Sequence, residues 1–84
     1  MHELGIADSI LGAVKTEAAR YPGSRVLKVG LRIGEWAGVD AESLRFCFDA
    51  LKKDTDLAAA ELDIDFRPAA ADLELSHLEL EPPT

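Results

Sequence analysis

Cysteine is nearly absent from this 84-residue chain: Cys47 stands alone, so no internal disulfide can form, and a lone thiol fits a reducing compartment. The N-terminus lacks a basic stretch followed by an apolar run, and no segment approaches membrane-spanning length, which predicts a cytoplasmic protein that makes no membrane contact. Positive charge is scarce as well. Nine basic residues face sixteen acidic ones, a formal charge of −7, and such a surface repels a phosphate backbone, so nucleic acid is not expected as a partner. There is no glycine-rich phosphate loop. Ser9, Ser24, Ser43 and Ser76 have no sequence context resembling an activated nucleophile, His77 has no evident partner, and an enzyme is not expected. Internal repeats, low-complexity tracts and interior linkers are also missing.

What is present is the mixture of a small globular protein: 48% hydrophobic and 30% charged residues, enough for one domain over residues 1–84 with a core that is small for its surface. From Leu4 to Arg20, the residues Leu4, Ala7, Ile10, Leu11, Val14 and Ala18 recur at three- and four-residue steps, with Ile6 widening the stripe, which predicts an amphipathic helix. Tyr21-Pro22-Gly23-Ser24 ends it. Residues 25–34 alternate, with Leu27, Val29, Leu31 and Ile33 on one side and Lys28, Gly30 and Arg32 on the other, the pattern of a strand with one buried face.

A second helix follows the turn at 34–38. Asp40 stands where an N-cap is expected, and Leu44, Cys47, Phe48 and Leu51 share one face, so Cys47 reads as a small buried hydrophobe. Residues 61–67 alternate with Leu62, Ile64 and Phe66 inward. Residues 73–81 make a third strand in which Leu73 and Leu75 are out of phase with Leu78 and Leu80, so a bulge is expected near Ser76-His77. The five-residue link at 68–72 suggests a hairpin between these last two strands. Asp56, Glu61, Asp63, Asp65, Asp72, Glu74, Glu79 and Glu81 face only Arg67 as a full positive charge, and they read as a solvated sheet face. Two amphipathic helices and three one-sided strands together predict an α+β two-layer sandwich on a mostly antiparallel sheet.

The residues that carry chemistry lie at the start. A free terminal amine on Met1, the amide nitrogen of His2 and one nitrogen of its ring can close fused chelate rings around one divalent ion, and planar nitrogen donors suit Ni(II) or Cu(II). The simpler reading is a frayed, solvent-exposed end. Glu3 either points inward at the end of the sheet or complements the positive end of the helix dipole. Trp36 is either a lid over the core edge or an exposed contact for a partner.

Three stretches resemble one family. Met-His-Glu-Leu-Gly-Ile-Ala-Asp-Ser-Ile at 1–10, Leu-Arg-Ile-Gly-Glu-Trp-Ala-Gly-Val-Asp at 31–40 and Glu-Ser-Leu-Arg-Phe at 42–46 are similar to the HypA/HybF nickel metallochaperones of nickel–iron hydrogenase maturation. The likeness runs from Met1 to about Arg67 and resumes in the final strand. It implies a nickel-binding domain that delivers Ni(II) to a hydrogenase large subunit together with a HypB-like nickel GTPase. It also implies His2 as nickel ligand with help from the backbone nitrogens beside it, Met1 included, and Glu3 and Asp40 as acidic positions of the same site. Where the family carries a zinc domain with two Cys-Xaa-Xaa-Cys pairs, this chain has only Pro68 to Asp72, so no structural zinc is expected. The competing expectation is an adaptor that keeps the fold without delivering metal, with Glu35 and Trp36 as its contacts. Either a monomer or a homodimer is compatible with the sequence.

Overall fold

The structure is a computed structural model and describes residues 2–84. The chain runs through α1 (Glu3–Ala18), β1 (Arg25–Gly34), α2 (Ala41–Lys52), β2 (Glu61–Arg67) and β3 (Leu73–Glu81). The two-layer α+β sandwich expected from the periodicities is present, with all three strands in one sheet of order β2-β1-β3. The sheet is mixed. β1 pairs with β2 in parallel, from Lys28 opposite Glu61 to Gly34 opposite Arg67, and with β3 antiparallel, from Arg25 opposite Glu81 to Ile33 opposite Leu73.

The expected hairpin between β2 and β3 does not form. β1, α2 and β2 make a strand–helix–strand crossover, and a helix between neighbouring strands sets them parallel. The link at 68–72 then crosses the end of β1 to place β3 on its other side. Gly34 permits that crossing: a Cβ on it would lie 2.5 Å from the carbonyl oxygen of Ala70, closer than a side-chain carbon can approach a backbone atom. The Gly34 N–H donates to Asp72 O (2.8 Å), and Trp36 N–H donates to Ala70 O (2.8 Å).

The core lies between the layers. Val14 from α1, Leu44 and Phe48 from α2, and Val29, Leu31 and Ile33 from β1 are fully buried, and each such side chain contributes about 1.5–3 kcal/mol relative to exposure. Cys47 is buried among them, as its place on the stripe predicts. The expected bulge is found: Gly30 pairs with His77 and Leu31 with Leu75, leaving Ser76 as the extra residue. A second shift was not legible. Val26 pairs with Leu80 and Lys28 with Glu79, so Leu27 is skipped on β1 and is only half-buried, while Val26 takes the core position. Leu4 and Phe66 also leave the expected core, at 55% and 58% exposure, because each lies near the end of its element, beyond the facing layer.

Candidate functional site

Most sequence-selected positions gather at one end of the molecule, where β1 stops, α1 and α2 begin and the 68–72 link passes. Met1 lies outside the described residues. His2 is the N-cap residue of α1 (φ −119°, ψ 0°), its carbonyl accepts from Ile6 N–H at 2.9 Å, and its exposed imidazole makes no capping hydrogen bond. The ring therefore has no structural duty at the cap. Beside it runs an open groove lined by Gly5, Ile6, Ser9, Ile10 and Leu73.

Glu3 is the one buried charged residue among those described, 6% exposed. Both expectations for it hold in part, since it sits in the first turn of α1 and also turns inward. There its Oε2 accepts the backbone N–H of Asp40 at 3.1 Å, across 37 residues of chain. That donated N–H is the main reason the Glu3 carboxyl is held below its ordinary value of 4.5, with the backbone N–H of Glu3 itself adding to it and burial opposing. The bond ties the start of α1 to the start of α2.

Asp40 is a cap on two counts. Its Oδ1 accepts from the N–H groups of Glu42 (3.1 Å) and Ser43 (3.4 Å), and its Oδ2 accepts from Ser43 Oγ (3.2 Å), which satisfies donors that a helix start leaves unpaired. The sequence marked Ser43 only as a serine without a nucleophile's context; its spacing of three from the cap is the signal that could have found its bond to Asp40. The structure thus joins Glu3 to Asp40 through the backbone of one and the side chain of the other. Among the described residues, no three His, Cys, Asp or Glu side chains come close enough to hold a metal ion. A metal at this end would need donors from the backbone or the chain terminus.

The turn beside Asp40 is fixed by long-range bonds. Glu35 N–H donates to Arg67 O, and the Glu35 carboxylate accepts Ala69 N–H, both at 2.9 Å. Ala69 sits in the left-handed region at φ 58°, a conformation unfavourable for a residue with a Cβ, and the Glu35 carboxylate is among the contacts holding it there. Trp36 is 67% exposed, so it is not a lid over the core edge. The turn shows an indole to solvent on a backbone that several bonds hold in place. Sequence did not disclose that the Glu35 carboxylate is already engaged.

A two-layer sandwich carries an exposed imidazole at its first helix cap and a Glu3–Asp40 tie beside it, and comparison with known proteins identifies the family. Residues 1–77 match the family model described as "Hydrogenase/urease nickel incorporation, metallochaperone, hypA". The chain belongs to that family, which is one of nickel metallochaperones and not of enzymes. It is 41% identical over 69 residues to a hydrogenase maturation factor HypA of Synechococcus sp., covering 82% of this chain and 62% of that protein. It is 48% identical over 66 residues to the HypA of Chlorobaculum parvum, covering 77% and 58%. The chain therefore spans about three fifths of the length of these curated relatives. The solution structure of the Ni metallochaperone HypA from Helicobacter pylori superposes with a TM-score of 0.72 at 18% identity, over 92% of this chain and 72% of that one, a likeness of fold. No helix is long and apolar enough to cross a membrane among the described residues.

Proposed function

We propose that this chain is a nickel-binding maturation factor that takes up Ni(II) at its N-terminus and passes it on during assembly of a nickel–iron hydrogenase. The observation that carries this reading is His2, an imidazole at the second residue, exposed and without a capping bond. The donors are the Met1 amine, the amide nitrogen and imidazole of His2, and the acidic positions Glu3 and Asp40 beside them. Nitrogen donors of this kind suit Ni(II), and few protein ligands at a chain end allow the ion to leave again. The carboxylate bonds of Glu3 and Asp40 support a part in orienting the terminus, as partners of metal ligands commonly do.

Recipient and helper are a hydrogenase large subunit and a HypB-like nickel GTPase in the cytoplasm, as the family's description in nickel incorporation supports. Residues 1–84 act as a single nickel-binding domain in which the 68–72 link stands where relatives carry a zinc domain. No structural zinc is called for, since the one thiol is buried in α2. An adaptor without metal delivery is the second reading, supported by the exposed Trp36 on its braced turn.

The test is a calorimetric Ni(II) titration of tag-free protein beside His2→Ala, with the N-terminus confirmed by mass spectrometry. Saturable one-site binding that the substitution removes, with the fold intact, is the expected result. Binding indifferent to His2, or none at all, would leave the adaptor as the better account.

A further inference from the structure

The least finished part of the molecule is the β3 side of the sheet. β3 is an edge strand of nine residues, so one row of its backbone N–H and C=O groups has no strand beside it among the described residues, and an open edge is a template for another strand. Its inward leucines are also incompletely covered. The helices seat over β1 and β2, and Leu73, Leu75, Leu78 and Leu80 touch the core yet all remain half-buried. Between α1 and β3 lie two hollows, one lined by Tyr21, Leu75, Leu78 and Leu80 together with the polar Glu17, Ser76 and His77, and the other, the groove beside His2, lined in part by Ile6, Ile10 and Leu73.

The bulge decides what can pair with this edge. Ser76 and His77 both stand close to the point where a Cβ on Gly30 would lie, at 2.7 Å and 2.2 Å, so both point to the outer face of the sheet. The leucines on either side are thereby brought onto one face at a spacing of two, three and two. A regularly alternating strand can match only half of that pattern, because a slip of one residue inverts every side chain. A strand with the same shift matches all of it, and β3 has one: Leu-Glu-Leu-Ser and His-Leu-Glu-Leu mirror each other in residue class about the midpoint between Ser76 and His77.

We infer that β3 is a self-pairing edge, whose occupant is β3 of a second copy of this chain, running antiparallel about a two-fold axis between Ser76 and His77. In that register Leu73 lies opposite Leu80 of the second copy and Leu75 opposite Leu78, on the inner face. Ser76 lies opposite His77, and Glu74 opposite Glu79, on the outer face. The three-stranded sheets join into six strands, and the leucine strips meet over the hollows beside α1.

The charges set the strength. Glu74 opposite Glu79 is a like-charge pair, which weakens strand pairing; Glu74 is ion-paired on its own β1, with Arg32 Nη1 2.8 Å from its Oε1, and Lys28 is the β1 register neighbour of Glu79. The cations on β1 lessen the repulsion at the seam without removing it, and salt screens what remains. The edge is about 30 Å long at 3.4 Å per residue, and a standard interface takes about 800 Å² from each partner. One strand and the flank of α1 fall short of that, so the dimer forms with a dissociation constant on the order of 100 μM and gains strength with salt.

The test is sedimentation equilibrium of the full chain from about 10 μM to about 1 mM, a range that brackets the expected constant, with circular dichroism on every variant. Glu79→Gln removes both like-charge contacts of the pair without setting a second cation against Lys28 and is expected to tighten association about twofold. Leu78→Lys puts a charge in the leucine strip and is expected to leave only monomer. Wild-type protein that stays monomeric throughout would overturn the inference, as would a dimer that Glu79→Gln fails to tighten. Glu79 is exposed, so that variant keeps the question open to refutation even where Leu78→Lys disturbs the fold.

Discussion

The two ends of the sandwich are closed in different ways. At the end carrying His2, besides local bonds such as Ala37 to Gly34, five bonds outside helices and strands join distant segments: Asp40 to Glu3, Gly34 to Asp72, Glu35 to Arg67, Trp36 to Ala70 and Ala69 to Glu35. At the opposite end the backbone bonds outside helices and strands are local, with Tyr21 bonded to Ala18, Ser24 to Tyr21, Thr55 to Lys52, Ala58 to Thr55 and Ala60 to Leu57, each spanning three residues. Locally closed turns take their shape from their own residues and tolerate change one at a time. A mutually braced end does not, since moving one segment unseats its neighbours. The candidate metal residues and the exposed indole sit at the braced end, where position is held by groups far away in the chain.

The sharpest way to break that contrast is a pair of glycine substitutions. Gly34→Ala drives a Cβ against the Ala70 backbone and is expected to lower unfolding free energy by about 2–3 kcal/mol in urea denaturation. Gly23→Ala at the local end brings a Cβ to 3.2 Å from the Pro83 ring at a φ of 83°, an effect of about 1 kcal/mol. Equal losses would mean the two ends are not differently built.

Glu3→Ala comes next. It leaves the part-buried Asp40 N–H without its acceptor, so the urea midpoint falls, while Glu3→Gln keeps an acceptor oxygen and falls less. The pH dependence has a definite sign. Because the folded Glu3 carboxyl titrates below 4.5, the wild type's advantage over Glu3→Gln is present in full above that pH and is lost as pH falls through the lower folded value. An advantage that grew on acidification would contradict the Asp40 bond. A smaller effect is expected of Glu35→Ala, which releases Ala69 at the surface: about 0.5–1 kcal/mol, together with a change in Trp36 fluorescence that a change at the local end would not produce. Smallest is Ala69→Gly, expected to stabilise by about 0.5–1 kcal/mol by relieving the left-handed backbone, with the Trp36 signal unchanged.

The same contrast explains what could be read in advance. The five elements were legible because each is written in a local period, down to the bulge at Ser76, whose phase change shows in the order of the leucines. The cap at Asp40 was legible for the same reason. The side of β1 on which β3 would land was not, because it depends on a carbonyl at Ala70 passing a glycine at Gly34, two residues with no mutual signal. Glu3 posed the same difficulty: nothing near it in sequence announces that its acceptor duty belongs to Asp40. His2 could be named as a candidate from chemistry alone, but not its freedom from a capping bond.

Among the described residues β1 is the only strand paired on both sides, and this sets the order in which backbone amides become accessible. Edge strands can peel away singly, whereas β1 can be exposed only by dismantling both ladders and the helix layer above them. Deuterium uptake should therefore sort this small domain into a slow spindle at residues 26–33, exchanging only with global unfolding, and a faster rim led by β3.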